Sequence, residues 1–280
     1  MGKKALLEFD KIGMWSEIKL EIIEAYAKEY TKILSHQNYI KSVYIDAFSG
    51  AGVHKSKTSG EDILGSPLKV LSVNPKFYHY YFIDLDPAKS DYLKTKIGNR
   101  ENVSVYRGDC NSILSSKILP KVQYKDYMRG LCLLDPYGLH LDWKIIQKVG
   151  EMKTIEIFLN FPITDMNRNV FWNKFEGVDE ADIKRMTLYW GDESWRNIAY
   201  TTNKNLFGYI EKEEGGTIAK AFQARLRNIA KFNYVSEPLP MRNSKNAVVY
   251  YLFFASQKPV AKKIVDHIFN KYAKSGMIQK

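Results

Sequence analysis

The chain has 280 residues, 45% of them hydrophobic and 26% charged, with a formal net charge of +11. This excludes a disordered chain, and two cysteines with five scattered histidines exclude a disulfide framework and a Cys-rich metal site. No apolar run approaches the roughly 20 residues that span a bilayer, and Lys3, Lys4, Glu8, Asp10 and Lys11 interrupt the first segment, so the expectation is a cytoplasmic protein with no membrane contact.

From Trp15 to Leu34, Trp15, Ile18, Ile22, Tyr26 and Ile33 recur at near-helical spacing, which predicts an amphipathic helix capping a sheet. Val43 to Phe48 reads as a buried strand that reaches Asp46 and then a turn carrying Phe48, Gly50 and Gly52. The two glycines permit positive φ and leave no Cβ between the loop and a ligand. The order Asp-x-Phe-x-Gly-x-Gly differs from the Gly-x-Gly-x-x-Gly loop that wraps a pyrophosphate. An acid at the head of the loop suits a cationic ligand without phosphate, such as S-adenosylmethionine (SAM). A tight strand-to-helix turn would account for the glycines but not for Asp46.

Val53 to Ser66 is polar and stretches the distance from Asp46 to the next strand-end acid to about twice the ~20 residues usual for such loops. It reads as a basic lid over substrate, with His54, Lys55 and Lys57, or as a mobile surface loop. A helix follows from Pro67 to Leu71, with Ser66 as its cap. Phe77 to Leu85 is the second strand and ends in Asp84, a carboxylate placed to accept ribose hydroxyls. Asp86 before Pro87 caps the helix from Pro87 to Ile97. A third strand, Asn102 to Tyr106, leads to Asp109 and Cys110. Asp109 suits equally an exocyclic amine of adenine and a helix cap.

Gly130 to Leu134 is a fully apolar fourth strand that runs into Asp135, Pro136, Tyr137 and Gly138. Here a carboxylate, a rigid Pro and a flat aromatic face make an acceptor-side candidate. After a helix from Leu141 to Val149, a fifth strand from Thr154 to Phe161 carries Asn160, suited to hydrogen-bond a substrate, and Arg168 beyond it suits an anion. Residues 164–216 are polar and Trp-rich, and read as a helical insertion. Lys220 to Asn228 is helical again. Strand-like runs at Phe232 to Glu237 and Ala247 to Ala255, joined by a turn-rich link, predict an antiparallel hairpin before a closing helix from Pro259 to Tyr272. Cys110 and Cys132 lie in or beside apolar strands, as core thiols do. Lys55, Lys57, Lys220, Arg225, Arg227, Arg242 and Lys245 are the basic residues expected to meet a polyanion.

The four strand-end loops, in this order, resemble the class I SAM-dependent methyltransferases over Val43 to Phe161. The resemblance implies a Rossmann-like α/β fold, with a mostly parallel seven-stranded sheet and an antiparallel last strand. It places the methionine part of SAM on Asp46, Phe48, Gly50 and Gly52, the ribose on Asp84, and the adenine near Asp109 and Cys110. Asp135-Pro136-Tyr137-Gly138 stands where amino-methyltransferases acting on bases carry Asp-Pro-Pro-Tyr, with the second Pro absent. A closer resemblance is to the three-Cys-motif partner family. It rests on Trp15-Ser-Glu-Ile-Lys-Leu, Tyr44-Ile-Asp-Ala-Phe-Ser-Gly, Gly65-Ser-Pro-Leu-Lys, Leu134-Asp-Pro-Tyr-Gly, Leu159-Asn-Phe-Pro162 and Asn167-Arg-Asn169. It implies an iron–sulfur partner protein.

The expected organisation is an N-terminal helical cap (1–40), an α/β domain (41–163 and 217–280) and the insertion (164–216). The expected function is methyl transfer from SAM to a base amine of nucleic acid, with Asp135, Pro136 and Tyr137 on the catalytic side and Asn160, Arg168, His54 and Lys55 toward substrate. The alternatives are a SAM-binding subunit of an iron–sulfur protein without turnover and a component of a defence system. A metal-dependent hydrolase in such a system would need a carboxylate cluster, and the sequence has none at diagnostic spacing.

Overall fold

The computed structural model of this chain describes residues 8–172, 177–204 and 210–274. They form two compact units, the first ending at Leu133 and the second beginning at Leu134.

In the first unit β1 (Lys11–Ile12) precedes α1 (Met14–Ser35), the expected N-terminal helix. α1 buries Ile18, Ile22, Ile23, Tyr26 and Tyr30 on one stripe. The strands β2 (Lys41–Asp46), β5 (His79–Asp84), β6 (Val103–Arg107) and β7 (Met128–Leu134) are parallel, in the order β7-β2-β5-β6. Val43, Tyr44 and Ile45 are all fully buried, which explains the unbroken apolar run. The crossover α3 (Pro87–Ile97) starts at Asp86, whose carboxylate accepts from the Ala88 and Lys89 amides as expected. α4 (Cys110–Ile113) is capped by Asp109.

Two expectations in this unit are corrected. Val53 to Ser66 is not a free loop. It forms β3 (Val53–Ser56) and β4 (Asp62–Leu64), which pair antiparallel, with β1 parallel to β3. The Ser56 hydroxyl fixes the turn, accepting from the Thr58 and Ser59 amides at 3.1 and 3.2 Å and donating to Glu17 on α1 at 2.8 Å. Gly65, not Ser66, caps α2 (Ser66–Ser72), because the Ser66 hydroxyl is directed elsewhere.

In the second unit α5 (Trp143–Met152) leads to β8 (Ile155–Phe161). Then come α6 (Ile163–Asn169), α7 (Glu180–Trp190), α8 (Trp195–Ala199), β9 (Tyr200–Lys204) and β10 (Ile210–Lys212). α9 (Gly215–Asn228), β11 (Tyr234–Val235), β12 (Leu239–Arg242), β13 (Val248–Ser256) and α10 (Pro259–Lys274) complete it. The last strand, β13, runs antiparallel to β8, as expected. The link expected to be turn-rich, residues 238–246, holds β12, which pairs with β13 and sets Pro240 opposite Tyr251, and then the expected turn at Asn243 to Asn246. A Pro is tolerated there because β12 lies at the edge, where a ladder donor is dispensable.

The segment expected to be helical throughout holds three helices and an antiparallel pair, β9 with β10. Residues 173–176 and 205–209 of it lie outside the described residues. Two of its three tryptophans lie in the core, while Trp172 is 45% exposed. Trp190 and Trp195 are fully buried, and Phe222 of α9 packs on Trp143, Tyr189, Trp190 and Phe161 at 5.6, 5.7, 5.5 and 4.7 Å.

Arg225 is also corrected. It is 9% exposed, held between the rings of Trp143 and Trp190 at 4.9 and 5.3 Å, and bonded to Asp192 at 2.8 Å. It braces the core of this unit and offers nothing to a polyanion. Burial works against the Asp192 carboxylate, but the Ser194 hydroxyl and amide and the Arg225 guanidinium outweigh it and hold its pKa below the ordinary value. Arg225→Ala is expected to cost about 2–3 kcal/mol in chemical denaturation. Asp192→Asn should cost under about 1 kcal/mol, since half of that side chain is exposed. Because the folded pKa is lowered, Asp192 contributes above the ordinary carboxylate range, and the contribution is lost as pH falls through the folded pKa. Equal stability of Arg225→Ala and wild type would contradict this role.

Candidate functional site

In the first unit the site is built where β2, β5 and β6 end. β2 carries Asp46 into the interior, where it is 0% exposed. One carboxylate oxygen accepts from the Phe48 amide at 3.2 Å and the other from the Ser66 hydroxyl at 2.6 Å. Asp46 therefore ties the strand end to the first turn of α2 and shapes the loop between them. The half-buried Phe48 opens that loop.

Asp84 ties the same loop to β5. Its Oδ2 accepts from the Gly50 amide at 2.7 Å, and its Oδ1 accepts from the Asp86 amide at 2.8 Å. Each oxygen has further lone pairs, so the carboxylate keeps capacity for a ligand. Its backbone carbonyl accepts from Gly108 after β6 at 3.0 Å, and Ser49 donates both amide and hydroxyl to the Ile83 carbonyl. The loop is thus fixed before any ligand arrives.

Gly50 and Gly52 both have the positive φ expected of them, +59° and +75°. Their surroundings differ. A Cβ on Gly52 would stand 2.7 Å from Leu93, whereas one on Gly50 would meet only His54, at 4.0 Å. Gly52→Ala is expected to destabilise the fold by about 2–3 kcal/mol, from backbone strain and overpacking together. Gly50→Ala should cost about 1 kcal/mol, from the backbone alone. Thermal melts of the two variants check the order; the reverse order would refute the packing argument.

His54 on β3 borders the glycine loop, with Cε1 4.0 Å from where a Gly50 Cβ would lie and Nε2 3.1 Å from where a Gly65 Cβ would lie. Lys55 is exposed and, one residue along the strand, faces the other way. Asp109 accepts from the Ser112 amide at 2.8 Å and from Asn111 at 3.3 Å, which is the capping half of its expectation. Cys110 is buried at the first turn of α4. Burial pushes the Cys132 thiol well up, and the neighbouring Asp46 charge adds to it. Neither cysteine is placed as a nucleophile.

In the second unit Asp135 is partly exposed, Pro136 is buried and Tyr137 is 92% exposed. Gly138 has φ +69°, and the space its Cβ would take is filled by the Asp165 carboxylate at 2.9 Å. Asp165 Oδ1 accepts from Asn169 at 2.9 Å. Asp165 Oδ2 and Asn160 Oδ1 are buried without a partner among the described residues. Arg168 is exposed on α6, its carbonyl accepting from the Trp172 indole at 2.7 Å.

Sequence reasoning missed Asp165 and the true role of Ser66. Asp165 carried a signal, an Asp and an Asn four apart just after a strand-end Pro. Ser66 did not, because a Ser before a Pro reads first as a helix cap.

No family model and no curated protein matches this chain. Among solved structures, protein LPL1258 of Legionella pneumophila, of the family DUF519, is 12% identical, covers 91% of each chain and has a TM-score of 0.55. This is a likeness of fold. The DszA carbon methyltransferase is 12% identical over 85% of this chain and 54% of its own, with a TM-score of 0.42. An S-adenosylmethionine-dependent methyltransferase of Clostridium acetobutylicum is 10% identical over 84% and 91%, with a TM-score of 0.39. Among the described residues no helix is long and apolar enough to cross a membrane.

Proposed function

We propose that the chain binds SAM at the glycine loop of its first unit and transfers the methyl group to a base amine of nucleic acid. One observation carries the cofactor half. The Gly50 amide and the Asp84 carboxylate are tied at 2.7 Å, so the loop's open glycine and a strand-end acid share one fixed edge. The open space above Gly50 lets a ligand approach the backbone. Asp84 keeps the acceptor capacity that a ribose diol requires. Asp46, fully buried and engaged at both oxygens, acts through its charge and by holding the loop, not by direct contact. His54 borders the same loop and would bound the ligand on the side of β3.

When bound, SAM supplies an activated methyl group. The rest is alignment, which the chain's own residues provide. On the acceptor side Asp135 would orient the amine through an accepted hydrogen bond, and Tyr137, open on its surface, would stack on the base. Asn160, with a buried carbonyl oxygen unpartnered among the described residues, would accept from the same substrate.

Incubation with methyl-labelled SAM and total nucleic acid from cells lacking the gene tests the reading. Label in RNA or DNA, traced to a methylated base by mass spectrometry, is the expected result. Binding of SAM without transfer would instead favour the SAM-binding subunit of an iron–sulfur protein.

A further inference from the structure

At the opposite ends of the same parallel strands lies a second surface that the cofactor proposal does not use. β2 begins at Lys41, β5 at His79 and β7 at Met128. Just before these starts stand Tyr39, Tyr78, Tyr124 and Tyr127, exposed by 62, 56, 62 and 55%. They form one connected rim. Tyr39 meets Tyr127 edge-on at 5.5 Å. The Lys41 amide donates to the Tyr127 carbonyl, and the Lys41 ammonium lies 5.0 Å over the Tyr78 ring. Arg129, level with Ser42 in the ladder, stacks on Tyr124 at 4.1 Å.

The rim is basic. Residues 36–41, 74–79 and 121–129 carry five cations, Lys41, Lys76, Lys121, Lys125 and Arg129, against one acid, Asp126. Exposed aromatic rings with cations between them are what a single strand of nucleic acid needs. Its bases stack on the rings and its phosphates pair with the cations. A protein partner fits less well, since protein interfaces are depleted in Lys, and four of these five cations are Lys.

We infer that this rim is a stacking platform for single-stranded nucleic acid, separate from the glycine loop. It stands whether or not the chain binds SAM, because the two surfaces lie at opposite ends of the strands.

The test is fluorescence anisotropy with labelled oligouridylate and oligothymidylate of about 15 nucleotides, with intact chain, at about 50 and 200 mM salt. Wild type should bind at least one of them, with log affinity falling by about 0.7 for each phosphate contacted per unit of log salt. Each of Tyr39→Ala, Tyr78→Ala and Tyr124→Ala should weaken binding about tenfold. Lys41→Glu with Arg129→Glu should flatten the salt slope by about 1 to 2. All these side chains are at the surface, so melting temperatures should stay near wild type, and circular dichroism would verify it. No binding to either oligonucleotide at the lower salt would overturn the inference. So would tyrosine variants that bind like wild type, since the affinity would then come from diffuse charge elsewhere. SAM calorimetry on the same rim variants should give wild-type heats, which keeps this test distinct from that of the cofactor site.

Discussion

Asp135→Ala is expected to lower methyl transfer by about a hundredfold or more while leaving SAM affinity within about twofold. The size follows from what misplacing an acceptor costs in a reaction that runs on alignment. Asp135 stands between buried Leu134 and buried Pro136, so its backbone is held while the residue is partly exposed. The Gly138 turn behind it is locked against Asp165. Asp135→Asn keeps one acceptor oxygen and should retain more activity than the alanine variant. Tyr137→Ala should raise KM for nucleic acid more than it lowers kcat, because a fully open ring contributes binding more than alignment. Single-turnover transfer with labelled SAM reads all three. Transfer at the wild-type rate by Asp135→Ala would reduce this residue to a structural one.

Asp84→Ala should weaken SAM binding by about 10- to 100-fold. The variant loses the ribose acceptor and strands the Gly50 amide, a loss of about 1–3 kcal/mol. It also releases the Asp86 amide at the start of α3, so some stability is lost with it. Asp84→Asn separates the two effects. It keeps a single acceptor oxygen, which the Asp86 amide can claim, and sets an amide NH₂ against Gly50. Its melting temperature should fall less than that of Asp84→Ala, while its SAM affinity falls almost as far. Calorimetry beside thermal melts resolves them; unchanged SAM affinity in both variants would remove Asp84 from the site.

Much of this was legible in the sequence because parallel strands write themselves plainly. Val43 to Ile45 and Leu131 to Leu134 are apolar without alternation because they are covered on both faces. The acids at their ends stood out against that background, and the signs of φ at Gly50 and Gly52 followed from residue type. What was hidden depends on contacts distant in sequence. The β3–β4 hairpin owes its order to Asp10, Ile12 and Glu17, some forty residues upstream, through bonds that no local pattern announces. Arg225 reads as a surface cation until Trp143, Trp190 and Asp192 close around it. Ser66 reads as a cap until Asp46 claims its hydroxyl. The resemblance to the three-Cys-motif partner family remains one of short segments, while the likeness of fold extends over 91% of the chain.

The measurement that bears most directly on the central claim is isothermal titration of the intact wild-type chain with SAM. A fixed loop open at Gly50 and tied to Asp84 predicts one site per chain with a Kd of about 1–10 µM, and the demethylated product should compete for it. Absence of heat together with no shift in melting temperature at millimolar SAM would contradict the assignment of the glycine loop.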